Sequence, residues 1–157
     1  MKRNVHTASA VLLALALAAG LPLAGTAQTT MTGKQQTALL QRALGNFDRE
    51  TQSLAGLKDQ IPSRDVVPVG VAGLSIGAPE RRTLTRTRTG SRHAALESAL
   101  SKATVADTDR PNGASPDQSS LAEFLQRRGV DPKTVVVVDV DTKTDPKNPH
   151  VTVFYSK

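Results

Sequence analysis

Five arginines clustered between residues 81 and 92 are the side chains of this 157-residue chain whose type and spacing most directly suggest chemistry. They are Arg81, Arg82, Arg86, Arg88 and Arg92. A guanidinium stays charged at neutral pH and donates paired hydrogen bonds to phosphates and carboxylates. No aromatic residue lies among them, so base stacking is not expected. Such a cluster is most often a solvated strand or loop that binds nothing; the alternative is an anion-binding segment.

The residues between these arginines indicate the conformation of the cluster. Threonines occupy positions 83, 85, 87 and 89 and alternate with Leu84, Arg86 and Arg88. In an extended segment, alternate side chains point to opposite faces, so the threonines and the arginines separate. The pattern therefore favours an extended segment that presents Arg82, Arg86 and Arg88 on one face.

Metal and cofactor chemistry is not expected. The chain has no cysteine, and only His93 and His150 lie beyond the N-terminal leader described below. Residues 107–113 begin like a calcium loop, but Pro111 stands at its fifth position. A second acidic set, at positions 139, 141 and 145, has calcium-ligand spacing but carries Lys143 at the fifth position. Both acidic sets are predicted to be turn and edge residues.

Catalytic residues are not predicted either. The serines near His93 do not lie in the Gly-x-Ser-x-Gly pattern of a nucleophile elbow. Asp141 and His150 are expected to face each other across two strands. A pair of this kind more often steadies the end of a hairpin than activates a reacting group.

A C-terminal unit from residue 121 to residue 155 carries the strongest structural pattern. Ser120 and Glu123 form a capping box that opens a short helix, and Gly129 is suited to the positive φ that ends one. A valine-rich strand at 134–141 and a strand at 150–155 follow. Pairing Val140 with Val151, Val138 with Val153 and Val136 with Tyr155 makes one face wholly apolar.

The opposite face of this hairpin is expected to be half wet, because it carries Asp139, Asp141, Thr152 and His150. On this interpretation, Val138→Asp would unfold the domain, whereas Asp139→Ala would be tolerated.

The upstream elements are less regular. Thr32 and Gln35 form a second capping box, which predicts an amphipathic helix through about residue 58. Its apolar stripe favours packing within the domain, with self-association as the alternative. The apolar segment 66–76 is interrupted by Pro68, Gly70 and Gly73. It is therefore either an edge strand or an extended linker. Ser91 is expected to cap another helix, and residues 104–119 have the composition of a linker.

Together these patterns predict an α+β fold in which two short helices pack on a C-terminal antiparallel β-hairpin. An amphipathic helix and a loosely structured middle segment precede it. The predicted divisions are a signal peptide at 1–27, the helix region at 28–62, an extended or flexible basic linker at 63–90 and a small α+β domain at 91–157.

The N-terminus predicts export. A basic start, an apolar run at 10–19 and a small-residue site ending at Ala27 are typical of a secretory signal peptide. Cleavage would remove Lys2 and Arg3, leaving 18 Lys and Arg against 14 Asp and Glu. Five of those 18 and one of those 14 lie in residues 80–93, so the remaining sequence is balanced at 13 of each. The predicted location is periplasmic or secreted, with no integral membrane segment after processing.

The predicted function is that of a small exported binding module, not an enzyme. Its expected partner is an envelope or extracellular protein, with self-association also open. One alternative is a polyanion binder acting through residues 81–92. A hydrolase is the remaining alternative.

Cleavage after Ala27 gives a direct test of the predicted address. Expression of the full chain in an exporting bacterial host should yield a mature protein that begins at Gln28, because small residues at the end of the leader suit the processing peptidase. Intact mass and N-terminal sequencing of the exported fraction would identify the terminus. Retention of Met1 in the exported protein would contradict the signal-peptide interpretation.

Overall fold

The computed structural model describes residues 31–107, 117–145 and 147–156. Within these ranges it contains five α-helices and two mixed three-stranded sheets, so the predicted α+β class is confirmed. The helices are α1 (Gly33–Gly45), α2 (Phe47–Ala55), α3 (Ala78–Thr87), α4 (Ser91–Lys102) and α5 (Leu121–Arg127). The strands are β1 (Ile61–Pro62), β2 (Val66–Gly70), β3 (Thr104–Asp107), β4 (Asp117–Ser120), β5 (Val135–Asp141) and β6 (His150–Tyr155). The predicted signal peptide lies outside the described residues.

The predicted N-terminal helix is divided into two. α1 begins at the predicted capping box, in which the Thr32 hydroxyl accepts the Gln35 N–H and Gln35 reaches back to Thr32. The helix stops before Asn46, whose amide side chain donates to the Arg42 carbonyl at 3.0 Å and whose φ is −116°. Side-chain bonding to nearby backbone is the usual reason that asparagine interrupts a helix.

The apolar stripe of these two helices packs inward, as predicted for helices that pack within their own domain. Leu40, Phe47 and Leu54 are buried in the single hydrophobic core of the described residues. Thr51, the polar residue in the same stripe, is buried as well. The stripe thus stabilises the domain through its own core.

The segment 63–90 is not an extended linker. It contains β2 and α3, joined by a 3-10 turn at Val71–Gly73, and another 3-10 turn, Ser63–Asp65, precedes β2. β2 is an edge strand, as one of the two alternatives proposed, and Pro68 is tolerated there because an edge strand has one side without sheet partners. Its pairing with β6 joins it to the C-terminal hairpin. The ability of residues 91–157 to fold alone stays a prediction.

The two sheets have the orders β1-β3-β4 and β2-β6-β5. In each, one edge strand is parallel to the central strand and the other is antiparallel. β3 and β4 lie within the segment predicted as a linker at 104–119, and that prediction was wrong for the two strands. Residues 108–116 lie outside the described residues. Four residues of β4, Asp117–Ser120, are mostly polar, which explains why composition indicated a linker.

The predicted hairpin register is confirmed at the end next to the connecting loop. Val140 pairs with Val151, Val138 with Val153, and Asp141 lies opposite His150. The third predicted pair was wrong: an irregularity between Val135 and Val137 places Val135, not Val136, opposite Tyr155. An extra residue in one strand of an antiparallel pair is a β-bulge, which the alternation of side chains does not reveal.

The predicted half-wet face of the hairpin is buried at Asp139 and Thr152, whereas Asp141 and His150, next to the loop, stay partly exposed. Val135, Val137 and Phe154 are fully buried, and Thr152 and Asp139 are only 1% and 3% exposed. Helices α1 and α2 pack against β5 and exclude water from the strand. The premise that Asp139 faces solvent is therefore wrong, and Asp139→Ala is now expected to destabilise the fold.

Asp139 is compensated by a cation from α1. Its Oδ1 accepts hydrogen bonds from Arg42 Nε at 3.0 Å and from Nη2 at 2.6 Å, and its Oδ2 accepts from Nη2 at 2.6 Å. The Asp139 side chain is 5% exposed and that of Arg42 is 53% exposed. The hydrogen bond to Asp139 raises the pKa of Arg42 above its usual value. The buried carboxylate is therefore both paired with a cation and hydrogen-bonded, as the burial of a charged group requires.

Both ends of α5 follow the predicted pattern. Ser120 and Glu123 form the capping box, and Gly129 has a φ of 77°. The Val130 N–H donates to the Leu125 carbonyl and the Gly129 N–H to the Gln126 carbonyl, which is a Schellman motif.

α4 begins where predicted, but its N-cap is Gly90, with a φ of 84°, not Ser91. Within the described ranges, no helix is long and apolar enough to cross a bilayer.

The Arg42–Asp139 pair predicts an asymmetric response to mutation. Arg42→Met leaves a buried carboxylate unpaired and should destabilise the fold by about 3 kcal/mol. Asp139→Asn leaves a half-exposed guanidinium that water can solvate, and should cost about 1–2 kcal/mol. Urea unfolding of the two variants measures the difference in free energy of unfolding.

The double variant Arg42→Met/Asp139→Val is the control. It removes both charges and should be more stable than Arg42→Met alone, because no unpaired group remains buried. Equal losses for the two single variants would show that the pair does not hold α1 on β5.

Candidate anion-binding site

Helix α3 carries most of the arginine cluster, so the extended conformation predicted for it was wrong. Pro79 lies in the first turn, where a proline is compatible with the helix, and Glu80 complements the positive end of the helix dipole. Arg86 in the last turn complements the opposite end. These local preferences, with burial of Leu84 and Thr87 on the inner face, favour the helix over a strand.

The threonines of α3 bond to their own helix. The hydroxyls of Thr83 and Thr85 donate to the carbonyls four residues earlier, of Pro79 and Arg81, and Thr87 donates to Leu84. Such bonds satisfy hydroxyl groups without leaving the helix. The alternation of threonine with arginine in the sequence therefore does not mark the two faces of a strand.

Four of the predicted arginines form what we call the arginine face, defined by Arg81, Arg82, Arg86 and Arg88. All four are exposed, and among the described residues none has an acidic partner within ion-pair distance. Arg82 and Arg86 are four residues apart and so lie ~6 Å apart along the helix axis. Arg81 and Arg88, at the end of the helix, are separated by ~10 Å along it. The four charges repel each other unless a counter-charge lies between them.

The fifth arginine does not belong to this face. Arg92 lies in α4, where its Nη2 donates to the Asp48 Oδ2 at 2.7 Å. Its guanidinium carbon also lies 5.8 Å from the centroid of the Phe47 ring. Arg92 thus joins α4 to α2, and its charge is already paired.

One contact attaches the N-terminal end of α3 to α1, and a second lies between the helix and its own N-cap residue. The Gln41 side chain of α1 donates to the Glu80 Oε1 at 3.0 Å. The second oxygen of Glu80 folds back over Gly77, where an added Cβ would approach Oε2 to 2.7 Å. Since real Cβ atoms do not come this close to another atom, Gly77 provides the space that Glu80 occupies. The arginine face is therefore carried by a helix with a defined attachment to α1.

The acidic residues of the hairpin loop are turn residues, as predicted. Asp141 accepts the N–H groups of Lys143 and Thr144 at 2.9 and 3.3 Å and the Thr144 hydroxyl at 2.9 Å. Asp145 bonds in the same way to Lys147 and Asn148. Among the described residues, no group of three histidine, cysteine or acidic side chains is arranged to hold a metal ion.

Asp141 and His150 lie opposite each other but do not form an ion pair. The carboxylate of Asp141 is directed to its own turn, and the Nδ1 of His150 lies 4.0 Å from the Asp65 Oδ1. The other described histidine, His93, has its Nε2 3.5 Å from the Glu97 Oε1 one helical turn away. Neither histidine is hydrogen-bonded to a serine in the described chain.

Ser75 lies in a nucleophile-elbow spacing that the serines near His93 do not show. Gly73 and Gly77 place it at the centre of a Gly-x-Ser-x-Gly pattern, between β2 and α3. Its side chain borders a cavity of about 300 Å³ with Lys34, Thr37 and Gln41. No histidine lines this cavity, so the spacing is present without the base that activates a serine.

Comparison with known proteins adds no family to these observations: no family model matches the chain, and no curated protein or solved structure matches it either. The functional argument therefore depends on the residues and their geometry.

The hairpin loop predicts a response to acid. The Lys143 N–H bond to Asp141 and the Asn148 side-chain bond to Asp145 are the main causes that lower the pKa of these carboxyls below the ordinary value of 3.8. A carboxyl with a lowered pKa stabilises the fold above its unfolded-state pKa, and this contribution is lost as the pH falls through the folded-state pKa. The loop should stay ordered through mildly acidic solution and loosen only in strong acid.

NMR titration of the side-chain carboxyl carbons provides the measurement. Both midpoints are expected below 3.8, and amide exchange at Lys143 and Lys147 should accelerate in the same acidic range. The control is Asp141→Ala, which removes the acceptor and should free the Lys143 amide at every pH. Midpoints at or above 3.8 would refute these turns.

Proposed function

We propose that this protein is a non-catalytic binding module that contacts a polyanion through the arginine face of α3. The observation that supports it is the absence of any acidic partner, among the described residues, for Arg81, Arg82, Arg86 and Arg88. The other arginine of the cluster, Arg92, has such a partner in Asp48. Four unpaired guanidinium groups on one helix create a local positive potential that attracts anions.

The character of the surface limits the kind of ligand. The solvent-exposed side of α3 presents arginine and threonine, whereas its one leucine, Leu84, is buried. Contact through such a surface is electrostatic and forms at the outside of a polymer, without stacking on bases and without insertion into the acyl region of a membrane. Phosphate, sulfate and uronate groups repeated along a chain suit it, because several arginines can each pair with one group.

The place of action follows from the predicted signal peptide at residues 1–27. An exported protein meets cell-envelope polysaccharides and lipid phosphates, which are polyanions of this kind. We therefore propose a periplasmic or secreted location for the binding event. An envelope or extracellular protein, the partner first predicted from the sequence, stays a prediction.

The proposal predicts salt-sensitive binding. Mature protein should bind heparin and long-chain polyphosphate, and the logarithm of affinity should fall linearly with the logarithm of salt concentration. On the scale for single strands, about −0.7 per phosphate contacted, three or four contacts give a slope of roughly −2 to −3. Titration by fluorescence anisotropy at several salt concentrations measures the slope.

The variant Arg82→Gln/Arg86→Gln/Arg88→Gln should weaken binding and reduce the magnitude of the slope. Its matched control is Lys34→Gln/Lys58→Gln/Lys102→Gln, which removes the same charge from exposed sites outside α3. If both triple variants lose the same affinity, binding reflects overall charge. If wild-type protein binds neither polymer at low salt, the arginine face is only a solubilising surface.

A further inference from the structure

A second positively charged site lies away from the arginine face. The junction of α1 and α2 and the loop after β5 enclose a cavity of about 390 Å³. Three cationic side chains line it, Arg42 from α1, Arg49 from α2 and Lys143 from the loop. Glu50 and Asp141 are its acidic residues. The cavity therefore brings together charges from two parts of the chain that are distant in sequence, the consecutive helices α1 and α2 and the loop after β5.

Both carboxylates of the cavity are engaged by backbone donors. Glu50 Oε2 accepts the N–H of Val140 at 3.0 Å and so satisfies the outer edge of β5. Asp141 accepts the N–H groups of Lys143 and Thr144. Within the described residues, neither acid forms an ion pair with Arg49 or Lys143, which keep their charges available.

Arg42 has a fixed position in this wall. Its Nε and Nη2 donate to Asp139, and no acceptor in the described chain is bonded to Nη1. A guanidinium clamped by a buried carboxylate loses little further side-chain entropy when it binds a ligand. The hydroxyls of Ser53 and Thr142 also line the cavity and have no hydrogen-bond partner among the described residues.

We propose that this cavity binds a small anion with a phosphate or carboxylate group, held by Arg49, Lys143 and the Nη1 of Arg42. The charge of Arg42 is balanced by Asp139. Arg49 and Lys143 have no ion-pair partner among the described residues, and these two charges favour an anion. The volume is at the lower end of the range for small-molecule sites, roughly 300–1,000 Å³, which excludes a polymer. Because Val140 is the one apolar side chain of the wall, the rest of the ligand is hydrophilic, as in a glycerol or sugar phosphate.

The test is an NMR titration of mature protein with glycerol 3-phosphate, inorganic phosphate, lactate and glycerol. Saturable shifts are expected for the amides of Ser53, Val140 and Thr142 with the phosphates or with lactate, and none with uncharged glycerol. Comparison of the phosphates with lactate identifies the acidic group, and comparison of inorganic phosphate with glycerol 3-phosphate shows whether the hydrophilic part contributes.

Arg49→Gln and Lys143→Gln should each weaken binding by about tenfold, as expected for loss of one charge-assisted hydrogen bond. Both side chains are exposed and unpaired, so the variants should keep the wild-type unfolding temperature. Arg82→Gln is the matched control on the arginine face and should leave the titration unchanged. The proposal is overturned if no anion gives saturable shifts, or if Arg82→Gln weakens binding as much as Arg49→Gln does.

The two binding proposals fail separately. If the arginine-face variant loses polymer binding and no small anion saturates the cavity, only the polyanion surface is supported. Saturation of the cavity in a protein that ignores heparin and polyphosphate would leave only the small-anion site.

Discussion

The ion pair between Arg42 and Asp139 is the constraint on which the arrangement of this domain depends. Asp139 lies in a strand of valines at 3% exposure, where an unpaired carboxylate would cost several kcal/mol. Only a cation brought by another element can satisfy it, and α1 provides that cation. The pair therefore fixes both the distance and the rotation of α1 relative to β5. Apolar contacts alone would not specify that rotation as strictly, because they are not directional.

Both positively charged surfaces derive their positions from this placement of α1. Gln41, the neighbour of Arg42, bonds to Glu80 at the start of α3 and so connects the helix that carries the arginine face. Arg42 itself forms a wall of the cavity between α1, α2 and the loop after β5, and Glu50 of α2 bonds to the edge of β5 beside it. A single buried charge thus organises the core on one side and two exposed cationic regions on the other. The contrast with Arg92 shows that charge alone does not identify a site, since that arginine is consumed by Asp48 and Phe47.

Local signals gave accurate predictions, and signals that depend on distant partners did not. The capping boxes at Thr32 and Ser120 and the Schellman motif at Gly129 each involve residues a few positions apart, and all three are present. The loop end of the hairpin was also predicted correctly, because the alternation of Val138 and Val140 specifies the register there. The arginine cluster was placed on the wrong element. Alternation of threonine with arginine resembles a strand, while the first-turn proline and the buried Leu84 favour a helix.

By itself, the sequence determined the α+β class, the start of α1, both ends of α5 and most of the hairpin, because these depend on backbone preferences and on the alternation of side chains over short distances. It also located the arginines, though not their arrangement. Tertiary structure decided that Asp139 is buried, that β2 pairs with β6 and that Arg92 is withdrawn from the cluster. Arg42 and Asp139 are 97 residues apart, and no spacing rule connects them. Which cation meets a buried acid, and which arginines stay unpaired, is settled only when the packed elements bring particular side chains within a few ångströms of each other.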